Sequence, residues 1–212
     1  MSAELAPAPV IAERYEAMRA ELGADVTIVV ATKYVPQSAM HTLAAAGITT
    51  VGENRLQDLE AKHAELGSAF AWHFIGHLQS RKAPAVSAQV ELVHSLDSLS
   101  AAKRLRKPAL VQVNLAGERS KSGVGSEEVE SFVAQVTALG VDVRGLTTMP
   151  PATADPEASR PYFRRLAEIA ASLGLEWLSM GTSQDYRVAA QEGATHVRVG
   201  AALFGLSAGT PR

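Results

Sequence analysis

Val26-Thr-Ile-Val-Val-Ala-Thr-Lys-Tyr-Val-Pro-Gln-Ser-Ala-Met-His-Thr-Leu-Ala-Ala-Ala-Gly-Ile-Thr-Thr-Val-Gly, residues 26–52, holds one strand-helix unit and the start of the next. Thr27-Ile-Val-Val-Ala is an almost continuous apolar, β-branched run, as in a strand covered by helices on both faces. Pro36 with Ser38 opens a helix that closes at Gly47, and a second strand follows from Ile48. The same cadence continues along the chain. Eight strand candidates begin near Val26, Ile48, Phe70, Val90, Ala109, Val141, Leu175 and Thr195. Between them Asn54 opens a helix closing at Gly67, Ser126-Glu-Glu-Val opens one ending at Gly140, and Ala158 to Leu173 runs up to Gly174. The acids in the first turn of the Ser126 helix suit its dipole.

Eight strands alternating with helices fit either a doubly wound open sheet or a closed barrel. The count predicts the α/β class with a (β/α)8 TIM barrel as architecture, and residues 1–212 are read as a single domain. Little chain follows Gly205, so the helix after the eighth strand is expected to be missing. An extra N-terminal helix from Pro9 to Leu22 is expected to cover that gap. Met149-Pro-Pro-Ala-Thr-Ala-Asp-Pro reads as a surface loop after strand six.

Composition excludes several classes of function. The 212 residues carry 20 Lys+Arg against 22 Asp+Glu, a net charge of −2, and show no basic stripe interleaved with aromatics. No nucleic-acid partner is expected. With no cysteine, disulfides, thiolate zinc sites, iron–sulfur ligation and a thiol nucleophile are all ruled out. Met1 to Val10 lacks the pattern of a secretory signal, and runs such as Ile28 to Ala31 and Ala201 to Phe204 are far shorter than the roughly 20 residues of a membrane span. A cytoplasmic protein with no membrane partner is expected.

The active face of such a barrel lies at the C-terminal ends of its strands. That rule selects Lys33, Glu53 and Asn54, His73 to His77, His94 to Asp97, Asn114, Thr147 to Met149, Met180 to Ser183, and Arg198 to Ala201. Lys33 ends the first strand, where burial would lower an ammonium pKa and make the amine nucleophilic, able to form a Schiff base. The competing reading is a cation neutralised by a carboxylate such as Glu53. Met180-Gly-Thr-Ser and Val199-Gly-Ala-Ala, after strands seven and eight, offer hydroxyls and main-chain N–H groups to a phosphate. Barrel closure sets strand one beside strand eight. A nucleophilic lysine next to a phosphate cradle is what pyridoxal 5′-phosphate needs. Arg198, two residues before Gly200, points to the same side; beside a pyridine nitrogen it would keep that atom unprotonated and weaken the ring as an electron sink. The other reading of Arg198 is a structural ion pair.

These residues carry a resemblance. Ala31-Thr-Lys, Gly52-Glu-Asn, Trp72-His-Phe-Ile-Gly-His-Leu-Gln-Ser, His94-Ser-Leu-Asp, Val113-Asn, Lys121-Ser-Gly, Arg144-Gly-Leu, Ser179-Met-Gly and Val197-Arg-Val-Gly occur in order from near Val26 to Gly205. The chain resembles the pyridoxal phosphate homeostasis protein family, whose barrel is similar to the N-terminal domain of alanine racemase. The resemblance implies that Lys33 holds pyridoxal phosphate as a Schiff base and that Asn54 lies near the ring. It further implies that Arg198 faces the pyridine nitrogen, and that Ser183, Gly200 and Ala201 hold the phosphate. The chain departs from the family at Arg81, where Asn is usual, at Thr147 and Thr182, where Met is usual, and at Ala201, where Thr is usual. At Ala201 that leaves only a backbone N–H for the phosphate.

Other signals are set aside. His73 and His77 sit on a strand end without an evident third ligand, so no metal is expected. Gly123-Val-Gly-Ser lacks the third glycine of a dinucleotide fingerprint. Lys121 reads as an exposed cation rather than a second cofactor lysine, and Asp97 to Lys107 as a charged, solvated helix. Two functions from different classes lead, ahead of a third, a phosphate-binding barrel enzyme without pyridoxal phosphate in which Lys33 is an ordinary charge. One is a non-catalytic carrier and regulator of pyridoxal phosphate, with pyridoxal-phosphate-dependent apo-enzymes as recipients. The other is a racemase or another amino-acid-transforming enzyme using the same cofactor. Racemisation needs a base on each ring face. Alanine racemases add a β-domain and a partner subunit's base, for which 212 residues leave no room. Tyr34 and Tyr186 are the conceivable bases here. The expectation is a carrier with no catalytic residues, and the barrel is compatible with a monomer.

Overall fold

The first strand of the computed structural model, β1 (Thr27–Ala31), has its three central residues buried, as its apolar run predicts. The structure describes residues 5–118 and 122–205. Ahead of β1 lies helix α1 (Ala8–Leu22), which buries Ile11, Tyr15 and Met18 along one stripe. After it come α2 (Met40–Ala45), β2 (Thr50–Glu53), α3 (Leu56–Leu66), β3 (Ala71–Phe74), α4 (Ala83–Ser87) and β4 (Leu92–Leu96). The chain continues through α5 (Leu99–Ala102), β5 (Ala109–Asn114), β6 (Val124–Gly125), α6 (Val129–Ala138), β7 (Val143–Thr148) and α7 (Arg160–Ser172). It ends with β8 (Trp177–Thr182), α8 (Tyr186–Gln191), β9 (His196–Val199) and α9 (Ala201–Phe204).

The strands run β4-β3-β2-β1-β9-β8-β7-β5, and β4 pairs back onto β5, so eight parallel strands close into a barrel. Each barrel strand begins within two residues of its expected position. The closing register sets Val29 opposite Arg198 and Val30 opposite Val199, which brings strand one beside strand eight. A short ninth strand, β6, was not legible in the sequence. It pairs with the last two residues of β5, Val113 with Val124 and Asn114 with Gly125, on the edge that β4 occupies lower down.

Helices cover the outside. Helix α7 buries Phe163, Leu166, Ile169 and Ala170, and each large apolar side chain so buried contributes about 1.5–3 kcal/mol. The chain leaves the helical segments before β7 and β8 at Gly140 and Gly174, whose φ angles of 85° and 66° suit a residue without a Cβ.

Two expectations need correcting. The helix after the last strand is present, although it is only the single turn α9; Arg14 of α1 donates to its Leu203 carbonyl at 3.0 Å. The N-terminal helix therefore packs beside a short element instead of replacing one. The charged helix expected over Asp97 to Lys107 shrinks to α5, whose Ala101 and Ala102 are buried. Leu105 is buried too, so the segment is held by an apolar underside and not by helical continuity. Among the described residues no helix is long and apolar enough to cross a membrane.

Candidate functional site

The chain turns sharply where β1 ends. Val35 N–H donates to the Thr32 carbonyl at 2.8 Å, which places Lys33 and Tyr34 at the two central positions of the turn. Both are exposed, and the Lys33 ammonium lies 4.9 Å from the Tyr34 ring centre. Lys33 also borders a cavity of about 320 Å³ together with Asp58 and Lys62. Lys33 is thus not buried, contrary to expectation, because burial ends at Thr32, the residue just past β1. Nor does Glu53 neutralise it. Glu53 is fully buried and pairs with Lys62, while accepting the Thr32 hydroxyl at 2.5 Å. That leaves the Lys33 amine free of the carboxylate partner proposed for it.

Asn54 follows β2. Its amide donates to Glu53 Oε2 at 3.3 Å, and its side-chain Oδ1 is buried without a hydrogen-bond partner. A buried acceptor left unpaired costs about 1–3 kcal/mol, so this atom is primed for a donor. Gly76 presses against the same residue: a Cβ there would lie 2.0 Å from the Asn54 carbonyl oxygen.

The loops after β8 and β9 meet at Ser183. Its Oγ accepts from Gly200 N–H at 3.1 Å and Ala202 N–H at 3.3 Å. The two N–H groups converge on one oxygen, the arrangement an anionic oxygen would use. Ala202 was missed in the sequence; as the second residue of α9 its N–H has no partner within the helix, which is the signal that could have found it. The hydroxyl of Thr182 is not available to a ligand, because it and the Thr182 amide bond Asp185 Oδ1 at 3.0 and 2.7 Å. Gly200 also approaches β1: a Cβ there would stand 3.1 Å from the Ala31 carbonyl, two residues before Lys33.

Arg198 points into the barrel and is buried. Its Nη1 donates to Thr147 Oγ1 at 2.7 Å, Ser179 O at 2.8 Å and Ser179 Oγ at 2.5 Å; its Nη2 donates to Thr148 O at 2.8 Å and reaches Met149 Sδ at 2.9 Å. Among the described residues no carboxylate lies within ion-pair distance of it, so the structural ion pair is not found. Burial pushes its pKa down to about 10, against a weaker opposing pull from Asp185. The barrel mouth therefore holds a positive charge without a neutralising carboxylate in contact, a setting that favours an anion.

Below Arg198 three histidines from three strands meet. His94 Nδ1 lies 2.8 Å from Ser179 Oγ, and His94 Nε2 lies 2.9 Å from His73 Nδ1. The His196 ring is 5.6 Å from that of His94 and 6.1 Å from that of His73. We assign the protons from Arg198, which can only donate. Ser179 Oγ accepts from Arg198 and gives its hydrogen to His94 Nδ1; His94 then donates from Nε2 to His73 Nδ1. Burial pushes His73 down to about 3 and His196 to about 4, and holds His94 well below the ordinary range. Ser179 entered the sequence reading only as part of a matching segment and His196 not at all, although His196 falls in the two-residue alternation of its strand with the inward Arg198.

The remaining candidates lie apart. His77 is beyond β3, 3.5 Å from Asp97, whose pKa burial raises. Among the described residues no group of three or more His, Cys, Asp or Glu is arranged around a metal position. Asn114 Nδ2 donates to the Glu118 carbonyl at 2.9 Å. Tyr186 donates to Glu21 of α1 at 3.0 Å, and Tyr34 is 72% exposed. Neither tyrosine is held as a base. Lys121 lies outside the described residues.

Comparison with known proteins gives the following. The model of the alanine racemase N-terminal domain family matches residues 10–208. A pyridoxal phosphate homeostasis protein of Aquifex aeolicus is 39% identical over 192 residues, covering 82% of this chain and 84% of that protein. One of Pseudomonas aeruginosa is 40% identical over 195 residues, covering 86% and 85%. Among solved structures, PipY of Synechococcus elongatus, known without and with pyridoxal phosphate bound, superposes with a TM-score of 0.85 at 34% identity, over 92% of this chain and 100% of that one.

Proposed function

The chain belongs to the alanine racemase N-terminal domain family and, within it, to the pyridoxal phosphate homeostasis proteins, and from that premise we propose that it is a single barrel domain that binds pyridoxal 5′-phosphate and carries it without transforming amino acids. The observation that carries this reading is the convergence of Gly200 and Ala202 N–H groups on Ser183 Oγ, in a loop pair that touches the backbone leading to Lys33.

The residues present fit the group. The Gly200 and Ala202 amides, the Ser183 hydroxyl and the neighbouring Ala201 backbone would hold the phosphate. Arg198 would face the ring nitrogen, and the unpaired Asn54 Oδ1 is an acceptor that a ring substituent bearing a hydroxyl satisfies. When bound, the cofactor would supply an aldehyde for the Lys33 amine to hold as a Schiff base, one water being lost. Among the described residues no carboxylate lies within ion-pair distance of Lys33, and Glu53 is committed to Lys62.

The same residues argue for holding over turnover. Arg198 would donate to a ring nitrogen without leaving a proton on it, which would make the ring a weaker electron sink than one paired with a carboxylic acid. A racemase needs a second base across the ring; Tyr34 neighbours Lys33 but is 72% exposed, and Tyr186 is engaged with Glu21. Pyridoxal-phosphate-dependent apo-enzymes are the recipients we propose, and the carrier is read as a cytoplasmic monomer. The test is binding followed by turnover: the protein should take up pyridoxal phosphate with a visible Schiff-base band and show no racemisation across a panel of L-amino acids. Sustained racemisation of any of them would replace the carrier with an enzyme.

A further inference from the structure

Lys62 is a lysine inside a core. It lies on α3, is 5% exposed, and points at the end of β1. Its Nζ donates to the Thr32 carbonyl at 2.8 Å and pairs with Glu53. Glu53 accepts the Thr32 hydroxyl on Oε1 and the Asn54 amide on Oε2. The Thr32 amide donates to the Gly52 carbonyl at 3.0 Å. Every polar atom of Thr32 is therefore engaged, and its carbonyl is the one that closes the turn carrying Lys33.

Stability alone gives little reason for such a pair. Desolvating two charges offsets most of their attraction, and apolar residues of similar volume usually serve as well. What sets this pair apart is what it touches. One ion pair fixes the peptide directly before Lys33 and the backbone amide of Asn54, the residues proposed to meet the aldehyde and the ring. We infer that Glu53 and Lys62 are positioning residues that hold the Lys33 turn and Asn54 in register for covalent attachment of the cofactor. The inference rests on the reading of Lys33 as the cofactor lysine, and its test separates the two.

Four forms are compared: the parent, Lys62→Arg, Lys62→Met, and the double variant Glu53→Gln/Lys62→Met, which leaves no lone buried charge if the single change fails to fold. The first readout uses cofactor-free protein. Amide exchange at Val35, whose N–H closes the turn, should quicken roughly tenfold in the double variant, while Val51 within the β1–β2 ladder stays unchanged. The second readout is the rate of Schiff-base formation with pyridoxal phosphate. It should fall by roughly tenfold to a hundredfold, the scale of a misplacement of about 1 Å. Affinity for inorganic phosphate, held by the β8 and β9 loops, should not move. Lys62→Arg keeps a donor for both Thr32 and Glu53 and should restore the rate to within about twofold. A folded double variant with parental exchange at Val35 and a parental rate overturns the inference. A parent that forms no Schiff base at all overturns the reading of Lys33, and the positioning role falls with it.

Discussion

Lowering the pH from 7 to 5 should cost the cofactor-free protein about 4 kcal/mol of folding free energy, through His73 and His196. Both are held neutral in the barrel by burial, at about 3 and about 4, against 6.5 for an ordinary histidine. In the unfolded chain each would be about 97% protonated at pH 5 and mostly neutral at pH 7. The folded state binds fewer protons than the unfolded one across this window, so stability falls as pH falls. Each histidine contributes about 2 kcal/mol to the change, and His94, shifted the same way, adds to it. The carboxylates with lowered values, Glu21, Glu65, Glu157 and Glu192, titrate below this range, and Asp97, raised by burial, works in the opposite sense. The assay is urea unfolding followed by tryptophan fluorescence, since Trp72 of β3 is buried. His73→Gln and His196→Gln should each remove about 2 kcal/mol of the pH dependence, whatever they do to stability at pH 7. A loss below about 1 kcal/mol between pH 7 and 5 in the parent, or an undiminished loss in both variants, would refute the buried neutral cluster.

Other predictions follow from single contacts. Gly76→Ala should destabilise the fold by more than about 3 kcal/mol, because its Cβ would meet the Asn54 carbonyl oxygen at 2.0 Å; a melting temperature within a degree or two of the parent's would show that the strand ends can move apart. Ser183→Ala should weaken pyridoxal phosphate binding roughly tenfold and leave pyridoxal, which has no phosphate, unaffected, as titration calorimetry would read. Equal losses for both ligands would remove Ser183 from the phosphate site. Lys33→Ala should change stability by less than about 0.5 kcal/mol, since the side chain is exposed, yet abolish the visible Schiff-base band.

Much of this was legible in the sequence, for reasons that show where reading fails. The eight strands announce themselves because β-branched apolar runs such as Thr27-Ile-Val-Val-Ala return at nearly regular intervals, and parallel pairing with closure follows from that cadence. Ser183 and Gly200 could be selected as candidates because site loops follow strand ends in this architecture, and the structure brings the two into contact. What escaped is what depends on residues far apart in the chain. The contact between His73, His94 and His196 exists only when β3, β4 and β9 face one interior. Lys62 reads locally as an exposed lysine on a helix, and only the angle of α3 against β1 and β2 shows that it enters the core. The burial expected of Lys33 failed by one residue, as boundaries do, because burial at the end of β1 stops at Thr32, just past the strand. The turn residue beyond it stands in solvent.

The central claim is that Lys33 carries pyridoxal phosphate. Incubation with the cofactor, reduction with borohydride and peptide mass spectrometry test it directly, because reduction turns a reversible Schiff base into a stable secondary amine. The account predicts one pyridoxyl phosphate group per chain, on Lys33, and none on Lys62, whose amine is buried against Glu53 and Thr32. Label on another lysine, or on none, would contradict it.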